Sequence, residues 1–402
     1  MYHTLRVAHA CRVLLEVCKL TGSPIHVFRY STGYGDYGYP AMKIVTVEAA
    51  LRKRGAHVEF LGGASPDLPA NATEIAAAVG AAESADVVVM VIGDSAPGHH
   101  LRGTAGENVD RHDLGPAGGQ SALLEAVLAN PRLSHRLVVV HLGGRPMSFP
   151  NNSASAAVIP AILTAMRPGE EGGEAIAQVL TGEVSPSGRL TNTWVRDVGY
   201  VGTAVQPYWQ FHQIAMATDP VTHGIADWLD GPATALFPFG HGLSFTKFSF
   251  SAASVEPPPH DGATKDDAAT VSVTVANTGA VASGVVVQVY CSYADSPRLR
   301  LLRYARTLCG FDKVFLGPGQ HRIVEVPVRL RTLARWDSDM TSTDLTGKKV
   351  RGAYVVDAGE WSVAVGDCSG AGEAIGLKNA VPCAQQAARF TVAETISFNG
   401  KH

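Results

Sequence analysis

The sequence predicts an α/β domain, doubly wound around a mostly parallel sheet with helices on both faces, followed by an antiparallel β-sandwich. Three observations carry this. Runs such as DVVVMVI (86–92) and LVVVHLGG (137–144) are too continuously apolar for a strand with one wet face, and buried parallel strands have this pattern. Helix-like segments of roughly 10–15 residues alternate with these runs, as in βαβ units. Beyond residue 268 the chain changes to short alternating strands separated by Gly and Pro turns, the pattern of an antiparallel sandwich.

Residues 1–34 have no obvious place in this scheme; Leu14, Leu15, Val17 and Leu20 could line a helix. STGYGDYGYP (31–40) is a Gly/Tyr-rich loop. It lacks the Gly-Lys-Ser/Thr of a phosphate loop. The α/β domain is expected over 35–250. It begins with a helix over 44–54, Gly55 and a strand from His57. A helix over 73–85 precedes the strand at 86–92, and SALLEAVLAN (121–130) precedes the strand at 137–144. VIPAILTAMRPG (158–169) is strand-like and then turns. GGEAIAQVLTGEVSP is a helix stopped by Gly182 and Pro186. Residues 195–235 are irregular. VEPPPHDGATKDDAAT marks a linker, placed at 251–268, because a proline run cannot continue regular structure. The sandwich follows over 269–395. Its strands are TVSVTVANTG (270–279), GVVVQVYCSY (284–293), HRIVEVPVRL (321–330) and GEWSVAVGD (359–367), with a turn at 277–279.

Composition excludes several classes of function. Hydrophobic residues make up 46% and charged residues 17%, ample for packed cores and too apolar for a disordered chain. The net charge of −3 draws the surface to neither nucleic acid nor anionic lipid. The cluster Arg298, Arg300, Arg303 and Arg306 is a solvated face. No apolar run is long enough for a membrane helix. The first residues do not form a signal peptide, because Arg12, Glu16 and Lys19 interrupt the apolar stretch. The six cysteines form no CxxC pair, which argues against a zinc or redox centre. Four of them lie in the second domain, where disulfides would suit an exported protein. Asn71 and Asn151 begin glycosylation sequons.

The chemistry-bearing stretch is the loop after the strand at 86–92, GDSAPGHHLRGTAGENVDR, ending at Arg111. A buried parallel strand delivers such a loop to the carboxyl edge of its sheet, where ligands bind. Glu107 is the candidate acid/base, flanked by Gly106 and Asn108; the bland alternative is a surface carboxylate paired with Arg111. Asp94, His99 and Arg111 are candidate substrate contacts. Against each stands a structural role: Asp94 capping a turn, His99 and His100 on the surface, and Arg111 with Asp110 holding the loop's shape. Adjacent histidines point apart, so they make a poor metal pair. Glu170 and Glu171 suit the positive end of the helix that follows. Ser187 lacks a nucleophile elbow. Trp194, Tyr208, Trp209 and Trp228 offer aromatic faces that stack on sugars or pack in cores.

Several blocks, in order, resemble the carboxy-terminal half of glycoside hydrolase family 3. They are GENVDR (106–111) with LGPAGGQ (114–120), VVVHLGGRPM (138–147), RPGEEGGEAIAQVLTGEVSPSGRL (167–190) and FPFGHGLSFTKF (237–248). The last has His241 where the family usually has Tyr. The resemblance continues through VSVTVANTGAVASGVVVQVY and LCGFDKVFLGPGQ, which are similar to a fibronectin type III-like domain. The Gly-Glu-Asn variant of the acid/base loop resembles the β-xylosidase branch, with the β-glucosidase branch as its competitor.

The resemblance implies a retaining glycosidase acting on oligosaccharide or β-glycoside ends, with Glu107 as acid/base and no metal or organic cofactor. Family members are usually exported or vacuolar. The mechanism needs two carboxyl groups about 5–5.5 Å apart. In the family the second is an Asp on a (β/α)8 barrel of about 250 residues. Residues 1–34 cannot hold that barrel, and no Ser-Asp-Trp or Thr-Asp-Trp triplet occurs. The chain therefore reads as half of a catalytic apparatus, nearly inert alone. The rival expectation is a non-enzymatic remnant that binds carbohydrate or docks a partner, the missing barrel included.

Overall fold

The computed structural model describes residues 12–17, 45–62, 64–94, 103–105, 111–150, 154–201, 235–293, 307–343, 348–368 and 385–398. They fall into two compact units, the division lying at Val184 with residues 194–199 returning to the first unit.

The first unit runs β1 (Arg12–Val17), α1 (Val47–Lys53), β2 (His57–Leu61), α2 (Ala72–Ala82), β3 (Val87–Gly93), α3 (Gln120–Ala129), β4 (Leu137–Leu142), β5 (Ala161–Met166) and α4 (Gly172–Leu180). The strands form one sheet in the order β2-β1-β3-β4-β5, every pair parallel. The helix expected around Leu14, Leu15 and Val17 is thereby corrected. Residues 12–17 are an inner strand, with Val13 opposite both Val58 and Val87. A six-residue apolar run is too short for periodicity to separate helix from strand; pairing on both edges decided it.

Strand alternation explains the continuous apolar runs. Val87, Val89 and Val91 pack into one core with Val138, Val140 and Leu142, with Val47, Ala50 and Leu51 of α1, and with Ile176, Ala177 and Leu180 of α4. Val88, Met90 and Ile92 point to the other face and are equally buried, as are Leu123, Leu124 and Val127 of α3. Each such side chain contributes about 1.5–3 kcal/mol by leaving water. The helix ends follow local chemistry. Thr46 Oγ1 accepts from Ala49 N–H at 3.1 Å, and Asn71 Oδ1 accepts from Thr73 and Glu74 N–H at the start of α2. Arg54, just past α1, donates to Glu174 at 2.6 Å and to Glu183 at 2.7 Å. It ties α1 to α4 and holds both carboxyls below their usual range. Glu171, at the N-cap of α4, makes no side-chain cap bond.

The second unit contains β6 (Phe248–Glu256), β7 (Ala268–Asn277), β8 (Ser283–Tyr293), β9 (Thr307–Leu316), β10 (His321–Arg329), β11 (Arg335–Thr343), β12 (Lys349–Val356), β13 (Gly359–Gly366), β14 (Gln385–Val392) and β15 (Ile396–Phe398). The sheets are β10-β7-β6, β14-β13-β8-β9 and β11-β12-β15, antiparallel throughout. Val271, Val273 and Val275 of one sheet share a core with Val285, Val287, Val289, Trp361, Val363 and Val365 of another. Cys291 and Cys309 form a disulfide between β8 and β9, and Cys368 is also disulfide-bonded. Asn277 is buried at the predicted turn. Its amide donates to Val281 O and Leu316 O, each at 2.9 Å, and its oxygen accepts from Thr246 and Gly279.

The linker expected at 251–268 is corrected at its start. Residues 251–256 belong to β6 and pair with β7. In β6 only Phe250 is fully buried, so this wet edge strand lacks the apolar alternation that would mark it in sequence. The segments around Leu190 and Gly240 also join this unit. Leu190 N–H donates to His241 O, and Gly240 N–H donates to Leu190 O. Gln288 Nε2 donates to Gly240 O at 3.0 Å. His241 stacks on Phe237, and burial pushes its pKa down to about 4, aided by Arg189.

Two glycines test the sheet and helix packing. A Cβ on Gly93 would lie 1.7 Å from Leu142 O, whereas one on Gly80 in α2 meets nothing within 4 Å. Gly93→Ala should therefore destabilise the first unit by about 3 kcal/mol or more, because backbone must move. Gly80→Ala should stabilise it by about 0.5–1 kcal/mol through helix propensity. Urea unfolding of both variants checks the opposite signs.

His141 on β4 is 1% exposed, its Nδ1 3.1 Å from Thr164 Oγ1. Burial, with the charge of Arg145, pushes its pKa from 6.5 down to about 4. The unfolded chain therefore takes up a proton near pH 6.5 that the folded chain refuses until about pH 4. Stability is full above the first value and falls towards the second, by about 3 kcal/mol in all. His141→Leu should lose correspondingly less stability between pH 7 and pH 4 than the parent, measured by denaturant titration at each pH.

Candidate active site

The strand order reverses between β1 and β3. In a doubly wound sheet that switch point opens a crevice at the carboxyl ends of the strands, where ligands bind. The chain leaves β3 there. Gln120, 0% exposed at the start of α3, closes the base of the loop. Its Oε1 accepts from Gly93 N–H and its Nε2 donates to Gly93 O, both at 2.8 Å.

Asp94 follows Gly93 and donates its N–H to Leu142 O. Its side chain is only 4% exposed, so the carboxylate needs a countercharge. Arg145, directly after the Gly143-Gly144 pair that follows β4, supplies it, with Nη2 2.8 Å from Oδ1. A second guanidinium, Arg111 Nη1, lies 3.8 Å from the same oxygen. Several further donors of both arginines reach loop backbone. Arg145 Nη1 donates to Leu114 O at 2.8 Å, and Nη2 donates to Gly115 O at 3.2 Å. Arg111 donates to Thr104 O at 2.9 Å, to Gly115 O at 3.3 Å and to the Asp113 carboxylate at 2.9 Å. Asp113 Oδ1 also accepts from Gly115 N–H.

Two sequence-predicted residues, Asp94 and Arg111, thus come together. Glu107 and His99, with Asp110 and His100, lie outside the described residues. So do Tyr208, Trp209, Trp228, Asn151 and the Arg298–Arg306 cluster. Trp194 is buried at 1% exposure, edge-on to His141 with centroids 5.2 Å apart and stacked with Phe149; it is core. Ser187 packs against Gly284. Sequence reasoning missed Arg145, Gln120 and His141. The signal for Arg145 was available. LGGRP (142–146) ends one buried strand much as Gly93-Asp94 ends its neighbour, setting opposite charges at adjacent strand ends. Among the described residues no cluster of three or more His, Cys, Asp or Glu could hold a metal ion, and no helix is long and apolar enough to cross a membrane.

The glycosyl hydrolase family 3 C-terminal domain model matches residues 20–245, and the fibronectin type III-like domain model matches residues 285–369. A β-xylosidase of Formosa agariphila is 31% identical over 338 residues, covering 83% of this chain and 41% of that protein. A periplasmic β-glucosidase of Salmonella typhimurium is 33% identical over 276 residues, covering 67% of this chain and 33% of that protein. The solved structure of a β-glucosidase from Erythrobacter marinus is similar at 29% identity and a TM-score of 0.66, over 96% of this chain and 47% of its own. The chain spans less than half the length of these relatives. With its parallel sheet, its loop at the switch point and its antiparallel second unit, the chain belongs to glycoside hydrolase family 3.

Proposed function

We propose that the chain is the proton-donating part of a retaining exo-β-glycosidase that removes terminal xylose from xylo-oligosaccharides. Glu107 is the acid/base, and the nucleophile resides on a barrel domain outside this sequence. The observation that carries this reading is the anchorage, at the switch point of the sheet, of the loop on which Glu107 lies. A carboxyl group on that loop, partly closed from water and beside the nucleophile carboxylate of an added barrel, would have its pKa raised into the range a general acid requires. Asp94 and Asp113, the described carboxylates flanking that loop, are held by arginines and are poor candidates for an attacking group. The relatives' greater length supports a further domain. The β-xylosidase reading draws on the Gly-Glu-Asn loop and the Formosa agariphila relative. The Salmonella typhimurium relative favours β-glucosides as the competing substrate.

The test uses 4-nitrophenyl β-xyloside and β-glucoside. The chain alone should give no turnover above background. Joined to the part of the Formosa agariphila relative that it does not match, it should gain turnover, faster on the xyloside. Glu107→Gln should then lower kcat/KM for xylobiose, whose leaving group must be protonated, by about 10²–10⁴-fold, the usual contribution of a positioned acid. Turnover by the chain alone would overturn the missing nucleophile, and a joined protein that binds xylo-oligosaccharide without cleaving it would favour the non-enzymatic remnant.

A further inference from the structure

Arg145 does more than neutralise Asp94. It sits at the end of β4, on the rigid sheet, yet most of its hydrogen bonds go to the loop that leaves β3. Leu114 O and Gly115 O are held by Arg145, and Thr104 O, Gly115 O and Asp113 are held by Arg111. Thr104 precedes Glu107 by three residues, and Asp113 to Gly115 follow it closely. One buried carboxylate thus gathers two guanidinium groups, and further donors of both hold the described chain on either side of position 107. Gly115 O, shared by both arginines, couples them.

We propose that Arg145 is a positioning residue for the proton donor, acting with Arg111 through Asp94. The inference rests on the proposed role of Glu107, whereas the brace stands on the geometry alone. The planar fork of arginine is what the arrangement uses. Arg145 reaches Asp94, Leu114 and Gly115 at once from one rigid group, whereas a lysine ammonium is a point charge on a flexible stem and cannot hold that spread of acceptors. A proton donor displaced by about 1 Å loses about 10²-fold in rate.

A general acid matters only when the leaving group needs a proton, and this separates positioning from plain stability. In the joined protein described above, Arg145→Lys should lower kcat/KM for xylobiose by about 10²-fold, as misplacement predicts. For 2,4-dinitrophenyl β-xyloside, whose phenolate departs unprotonated, kcat/KM should stay within about threefold, since general acid catalysis adds little there. Arg111→Lys should show the same split more weakly and serves if Arg145→Lys folds poorly. Equal losses on both substrates, or no loss on either, overturn the proposal. The second arm uses the present chain alone. Hydrogen exchange at residues 103–105 and 113–115 should quicken by about tenfold in Arg145→Lys, a local opening that leaves β7 and β8 unchanged. Unchanged exchange overturns the brace. A joined parent protein silent on both substrates would instead refute the proposed function, with the exchange arm still deciding the brace.

Discussion

A carboxylate withdrawn from water is the constraint around which the edge of the parallel sheet is arranged. Asp94 keeps 4% of its side-chain exposure, and removing such a group from water costs several kcal/mol unless charge and hydrogen bonds replace the solvent. Arg145 at 2.8 Å provides the main compensation. That pair has geometric consequences. Arg145 reaches Asp94 only because β3 and β4 are adjacent and in register, with Gly93 opposite Leu142. Gly93 carries no side chain because a Cβ would meet the Leu142 carbonyl. Gly143 lies where a Cβ would come within 2.8 Å of His141 Nε2 and 3.3 Å of Asp94 Oδ2. The glycines at both strand ends are thus set by close approach of neighbouring backbone and side chains at this edge.

The same constraint accounts for His141. It sits one strand residue before the edge, beneath a guanidinium, in a face otherwise lined by aliphatic side chains. Burial and the Arg145 charge both oppose its protonation, so it serves as a neutral polar filler between Thr164 and Trp194. Trp194 completes this packing from well along the chain. An aromatic that composition alone would offer to a sugar is used to close the core behind the site.

The architecture was largely legible in the sequence, because it is written in burial pattern. Strands buried on both faces have no polar residues to break their runs, and β3 and β4 are unmistakable for that reason. Elements with weak burial were not legible. The strand at 12–17 is too short to show a period, and β6 is an edge strand whose residues are mostly wet. At the site, Asp94 and Arg111 were legible as charges in a loop at a strand end, and their union was not. The main partner of Asp94 is Arg145, which lies 51 residues away and follows the next strand of the sheet. Local spacing carries no information about a partner supplied by strand adjacency. Gln120 was hidden for the same reason, since its bonds to Gly93 span 27 residues.

The same ion pairs bear on the proposal that this loop carries a proton donor. An attacking carboxylate held tightly by a guanidinium is a weaker nucleophile, although the cation keeps it ionised. A proton donor must avoid such pairing as well, because a nearby cation lowers its pKa. Here the cations are spent on Asp94 and Asp113, and their reach ends on backbone carbonyls. The loop is therefore anchored by positive charge whose compensating carboxylates are already in place. With both guanidiniums already committed to these two carboxylates, the arrangement is compatible with the proposed general acid, which must keep its proton.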